Sequence, residues 1–159
     1  MKYQTELKWG LIFVVMTLLW MLGERLTGLH GEHIARHATW TNLIAVPAVL
    51  IYYLVMKEKR DRVLGGRMSW WEGFRVGLLM TAVVVVLTPV AQWLTHTVIS
   101  PDYFANAIDY GVANELTTRE DAEAFFTMKT YVGMAVIGAL LMGVLTSAIV
   151  ALFARRSGE

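Results

Sequence analysis

The chain has 159 residues, 56% hydrophobic and 17% charged, with a mean hydropathy of +0.49 and a formal net charge of +1. Soluble domains carry about a quarter charged residues, so the excess of apolar surface points to one domain, residues 1–159, with lipid as its solvent. The absence of cysteine excludes disulfides, thiolate metal sites and thiol nucleophiles, and basic residues gathered beside apolar runs do not suggest nucleic-acid binding.

In the first segment, residues 7–26, the apolar run WGLIFVVMTLLWML follows Lys2 and Lys8 and has the outline of a signal peptide. Gly23-Glu24-Arg25-Leu26 offers no small-x-small cleavage site, so the run reads as an uncleaved helix. The second segment, residues 41–56, contains Pro47, which should kink it. Both uninterrupted stretches are shorter than the roughly 20 residues that span a bilayer, so polar ends must complete them. Trp9, Trp40, Tyr52 and Tyr53 lie near those ends, where amphipathic rings favour the headgroup level.

A charged loop, KEKRDRVLGGR, leads into Ser69-Trp70-Trp71-Glu72, which has the spacing of a capping box. The third segment runs over residues 70–99, with a bend expected at Pro89. Gly73 and Gly77 make one GxxxG match near its start. Ser100-Pro101 reads as a helix start. The following PDYFANAIDYGV places Tyr103, Phe104, Ala107, Ile108 and Gly111 on one face, with Asp102, Asn106 and Asp109 elsewhere. Thr117 to Glu120 offers a second capping box. The fourth segment, residues 130–153, carries no charge. Ala135, Ala139, Gly143, Ser147 and Ala151 recur in it every four residues, a small-residue stripe suited to close helix packing. The expected fold is all-α: a bundle of four transmembrane helices with short amphipathic helices in the outer loop, residues 100–129.

Orientation follows from lysine and arginine. Lys2, Lys8, Lys57, Lys59, Arg60, Arg62, Arg67, Arg75, Arg155 and Arg156 fall on one side, and only Arg25, Arg36, Arg119 and Lys129 on the other. The positive-inside rule then places both termini in the cytoplasm, with the histidines outside.

Residues 23–40, GERLTGLHGEHIARHATW, hold three of the four histidines. If residues 29–38 are helical, His30, His33 and His37 form one stripe, able to hold zinc or another metal with Glu24 or His96 completing the set. The alternative is a solvated turn whose histidines titrate freely. Glu24, Arg25, Gln92 and His96 lie at similar depth and are candidates for handling a proton or a small ligand. The outer ends of segments one and three are expected to converge, bringing Glu24 and His96 together. No nucleophile elbow, P-loop, dinucleotide turn or EF-hand occurs, so no catalytic residue is assigned.

The order ELKWG, GERLTGLH, ISPDYFANAIDY and TTREDAEAFF resembles the bacterial domain-of-unknown-function family 4199 over nearly the whole chain. That resemblance implies a four-helix integral protein of a bacterial inner membrane and no particular activity. Two functions remain open from the residues. One is a small membrane subunit or scaffold, associating with itself or a partner through the segment-four stripe. The other is a transporter-like or ligand- or metal-binding protein using the outer polar cluster. A membrane enzyme with Glu24 and a histidine as acid and base is a third.

Overall fold

Every long apolar run forms a helix in the computed structural model, which describes residues 3–156. In chain order these are α1 (Gln4–Leu26), α2 (His37–Trp40), α3 (Ala45–Arg62), α4 (Trp70–Leu94), α5 (Tyr103–Ala113), α6 (Arg119–Phe125) and α7 (Met128–Ala154). The fold is all-α, with no strand among the described residues. Four helical stretches are long and apolar enough to cross a membrane: α1, Ile34–Arg62, Trp70–Ile99 and α7.

The second stretch is longer than the expected 41–56 at both ends. Upstream it is wound from 3₁₀ turns, Ile34–Arg36 and Thr41–Ile44, flanking α2. Pro47 has no N–H for the Leu43 carbonyl, and the tighter winding sits just where that bond is missing. Downstream, the charged residues stay helical because α1 supplies their partners. Lys59 Nζ lies 2.8 Å from Glu6, with both side chains buried. Lys8 Nζ and the Trp9 indole donate to Glu58 at 2.6 and 2.8 Å.

The closest helix pair is α4 with α7. A Cβ added at Gly73 would meet Ala151 at 3.2 Å, and one at Gly77 would meet Ser147 Cβ at 2.6 Å. At Gly143 an added Cβ would lie 2.6 Å from Thr81 Oγ1 and 2.8 Å from the Tyr52 hydroxyl. The small-residue stripe and the GxxxG pair therefore face each other inside one chain. Gly143, Ser147 and Ala151 are buried, whereas Ala135 and Ala139 are half-buried. Around this contact sit Tyr52, Val55, Met56, Met68, Met80 and Ala154. The Tyr52 hydroxyl meets Thr81 Oγ1 at 2.7 Å, so the polar atoms of the seam are paired as burial demands.

Caps fix the helix ends. Ser69 and Glu72 form the expected box: the Glu72 amide donates to Ser69 Oγ at 3.2 Å, and the Ser69 amide to Glu72 Oε2 at 2.8 Å. The second cap is shifted by one residue. Thr118, not Thr117, accepts from the Asp121 amide at 3.1 Å. Met68 and Arg156 exchange two backbone hydrogen bonds, and Arg60 donates to the Ala154 carbonyl at 2.9 Å. The α3–α4 turn and the end of α7 thus share one end of the bundle with the start of α1. Lys2, part of the charge argument, lies outside the described residues. The opposite end carries the histidines, under α5.

Candidate functional site

The site begins with how α1 stops. Gly28 adopts φ +77°, the left-handed conformation that favours glycine. Its amide bonds the Arg25 carbonyl and the Leu29 amide bonds the Glu24 carbonyl. This is the Schellman pattern that ends many helices. It reverses the chain over the Glu24 side chain. Residues 27–33 are then tight turns rather than helix, so the expected stripe of His30, His33 and His37 does not form.

What forms instead is a convergence on one carboxylate. His30 Nε2 lies 3.1 Å and His37 Nε2 3.3 Å from the same atom, Glu24 Oε2. The other oxygen, Oε1, accepts from the Trp20 indole at 2.6 Å, one helical turn back. The side chain of Glu24 is 4% exposed and that of His30 6%. His33 is left out: its ring is half exposed, 3.7 Å from Glu32 and turned away from the cluster.

Each converging imidazole is also held from behind. His30 Nδ1 lies 2.6 Å from the Ser100 hydroxyl, and His37 Nδ1 3.4 Å from the Tyr103 hydroxyl. Asn106 donates to the His30 carbonyl at 2.8 Å. Ser100 was expected to cap a helix, yet α5 begins at Tyr103 with no side-chain cap. Its hydroxyl is committed to His30. Asn106, expected to turn elsewhere, shares the inner face with Tyr103, Ala107 and Gly111 because the chain reversal brings residue 30 beneath it.

The Tyr103 ring is packed between the two halves of the cluster. It lies 5.1 and 5.3 Å from the His30 and His37 rings, and 5.5 Å from that of His96. Burial, and secondarily the Glu24 carboxylate, push the Tyr103 hydroxyl above its ordinary range, against the opposing effect of a hydrogen bond with Tyr131. It therefore stays a protonated phenol. His96 sits on the π-turn Thr95–Ile99, stacked on Phe104 at 4.3 Å, with Nε2 3.2 Å from Gln92 Oε1. The expected direct meeting of Glu24 with His96 does not occur, because Tyr103 lies against both His96 and the imidazoles that hold Glu24. Arg25 donates to the Ile99 carbonyl and joins the end of α1 to the π-turn after α4.

A carboxylate this buried needs a positive partner, and no lysine or arginine pairs with Glu24 among the described residues. The groups that reach it are an indole, two imidazoles and the Thr41 hydroxyl. Glu24, His30 and His37 each offer one ligand atom, all within 4.8 Å of one another. Beside His30, a pocket of about 180 Å³ lined by Arg25, Gly31, Ser100, Asp102 and Asn106 opens to the surface.

Trp20, Ser100, Tyr103, Tyr131 and Asn106 were not among the sequence's candidate site residues. Trp20 was legible as the residue four before Glu24 on one helix face. The others are joined to the cluster only by the fold. A model described as a protein of unknown function (DUF4199) matches residues 8–156. No curated protein and no solved structure matches the chain.

Proposed function

The chain belongs to the DUF4199 family of proteins of unknown function, and we propose that it is a multi-pass membrane protein that binds a divalent transition-metal ion, zinc foremost, through Glu24, His30 and His37. The observation that carries this reading is the convergence of two Nε2 atoms on one carboxylate oxygen, with both Nδ1 atoms already engaged. Metal-bound histidines commonly hold their second nitrogen in this way, which fixes the tautomer and aims the ring. A tetrahedral ion with bonds near 2.0–2.1 Å has ligand-to-ligand edges of about 3.3 Å. The imidazole-to-carboxylate separations of 3.1 and 3.3 Å fit that edge. Two histidines and one glutamate leave a fourth position for water or a ligand. Asp102 lies on the adjacent pocket, where an acidic group favours the approach of a cation.

The scaffold reading is less well supported. The Gly143, Ser147 and Ala151 part of the stripe that would have served a second copy is already buried against α4. In the proposed orientation both termini face the cytoplasm of a bacterial inner membrane and the metal site faces outward, supported by the lysine and arginine asymmetry.

Metal analysis of the purified chain tests the proposal. After chelator treatment and zinc or cobalt titration, the wild type should bind one equivalent, and cobalt should give the absorption of a four-coordinate nitrogen–oxygen site. Glu24→Gln, His30→Ala and His37→Ala should each abolish that binding, while His33→Ala should leave it intact. Binding that survives all three changes, or a wild type that takes up no metal, would overturn the proposal.

A further inference from the structure

At the end that carries the termini, α1 and α4 part to leave a groove in two continuous portions. The apolar portion, about 670 Å³, is lined by Leu7, Leu11, Leu79, Val83, Val86 and Leu87. The portion at the mouth, about 640 Å³, is bordered by Gln4, Glu6, Lys59, Glu72, Arg75 and again Leu79. Where the helices close, Gly10 sits so near Val83 that an added Cβ would lie 2.8 Å from the valine Cβ. The long wall is thus apolar and the charges are confined to one end, the profile of a tail with a polar head.

The charges at the mouth are not equivalent. Glu6 and Lys59 are buried and paired at 2.8 Å. Glu72 accepts from the Ser69 amide and hydroxyl at 2.8 and 2.7 Å as part of the helix cap. Arg75, one turn further along α4, is exposed and lies over the Trp71 ring at 5.7 Å. It makes no ion pair among the described residues. Three of the four charged groups are therefore committed, and the remaining one is a guanidinium steadied by an interfacial tryptophan.

We propose that this groove seats one membrane phospholipid, with its phosphodiester on Arg75 and an acyl chain along Leu79, Val83 and Val86. Arginine suits the head because its planar fork matches phosphate oxygens and it is less strongly hydrated than lysine. Trp71, 52% exposed, lies under the Arg75 guanidinium, and an exposed indole favours the headgroup level. The site is independent of the metal centre, which lies at the other end of the bundle.

The test is native mass spectrometry of the detergent-purified full chain, titrated with phosphatidylglycerol or phosphatidylcholine. The wild type should retain one phosphatidylglycerol in preference to phosphatidylcholine. Arg75→Gln should weaken that retention roughly tenfold, the loss expected for a charge-assisted contact, and Arg75→Lys should restore part of it. Leu79→Trp should block both lipids by filling the groove where head and tail portions meet. Glycerol phosphate, which has the head without the chain, should not displace the lipid. Unsaturating uptake of many lipids, or displacement by glycerol phosphate, would overturn the proposal. So would unchanged retention in Arg75→Gln, a surface change that decides the matter even if Leu79→Trp fails to fold.

Discussion

The hydroxyl of Ser100 lies 2.6 Å from Nδ1 of His30, seventy positions earlier in the chain. That contact ties the end of the α4 stretch to the loop after α1 and fixes the plane of one proposed ligand ring. Ser100→Ala should therefore keep the fold and lower zinc affinity roughly 10- to 100-fold, the usual cost of losing a partner behind a ligand. Competition against a chromophoric chelator measures it. Unchanged affinity would mean that the hydroxyl does not orient His30 for metal.

Gly28 sets the chain reversal, so its conformation should matter more than its size. Gly28→Ala places a side chain at φ +77°, where an added Cβ would also meet Glu32 Cγ at 2.9 Å. The expected cost is roughly 1–2 kcal/mol for the backbone alone, since Glu32 is exposed and can move. Thermal unfolding in detergent should show the loss, together with weaker metal binding. Asparagine, which tolerates this conformation better, should recover part of both.

Gly143→Leu should be far more damaging than its conservative chemistry suggests. The new side chain would drive into Thr81 and Tyr52, and overpacking typically costs about 1–3 kcal/mol, more where backbones cannot separate. Ile137→Leu, at a position 60% exposed on the same helix, should leave the melting temperature unchanged. Equal behaviour of the two variants would remove the α4–α7 seam as the centre of stability.

Tyr103 offers a pH test with a defined sign. Its folded-state pKa is raised above the ordinary value of 10.0, first by burial. The neutral phenol therefore contributes stability that is fully present below that value and lost as pH rises through the folded pKa. In an alkaline absorbance titration of the folded protein, one phenol missing from Tyr103→Phe should be among the late-ionising ones. If the missing phenol is an early one, Tyr103 is open to water and the cover over the imidazoles is not closed.

Orientation is tested by paired fusions at Gly65 and Glu115. Cytoplasmic reporters should be active at Gly65 and silent at Glu115, with the opposite result for reporters that work only outside. The reverse pattern would place the histidine cluster inside the cell.

Much of this fold was legible because its signals are local. Apolar runs, the Ser69–Glu72 box and the small residues of α7 each declare themselves within a few positions. The cluster was harder for a physical reason. A helical period across residues 29–38 puts His30, His33 and His37 on one stripe. The left-handed residue at Gly28 breaks that period and substitutes the spacing of a turn, which keeps His30 with His37 and leaves His33 out. Gly28 was readable as a helix-stop signal, but not the direction in which the chain would leave. Ser100 shows a second limit. A serine before proline is a sound cap on local grounds, and only a histidine from a distant loop outbids the helix for its hydroxyl. Tyr103 fell on the expected inner face of α5, yet spacing alone says nothing of what that face covers.

Glu6 and Glu24 together bear on how such a chain is built. Both ends of α1 carry a buried carboxylate, and neither finds its partner within that helix alone: Lys59 comes from α3, and the two imidazoles come from the loop and α2. The stretch is also the least apolar of the four. Taken alone it is consequently an incomplete unit, its acidic groups matched only by residues that follow it, as far on as Lys59. If the chain is the membrane protein proposed above, its first two spans are expected to insert as one hairpin, since a carboxylate of the first is matched only by the second.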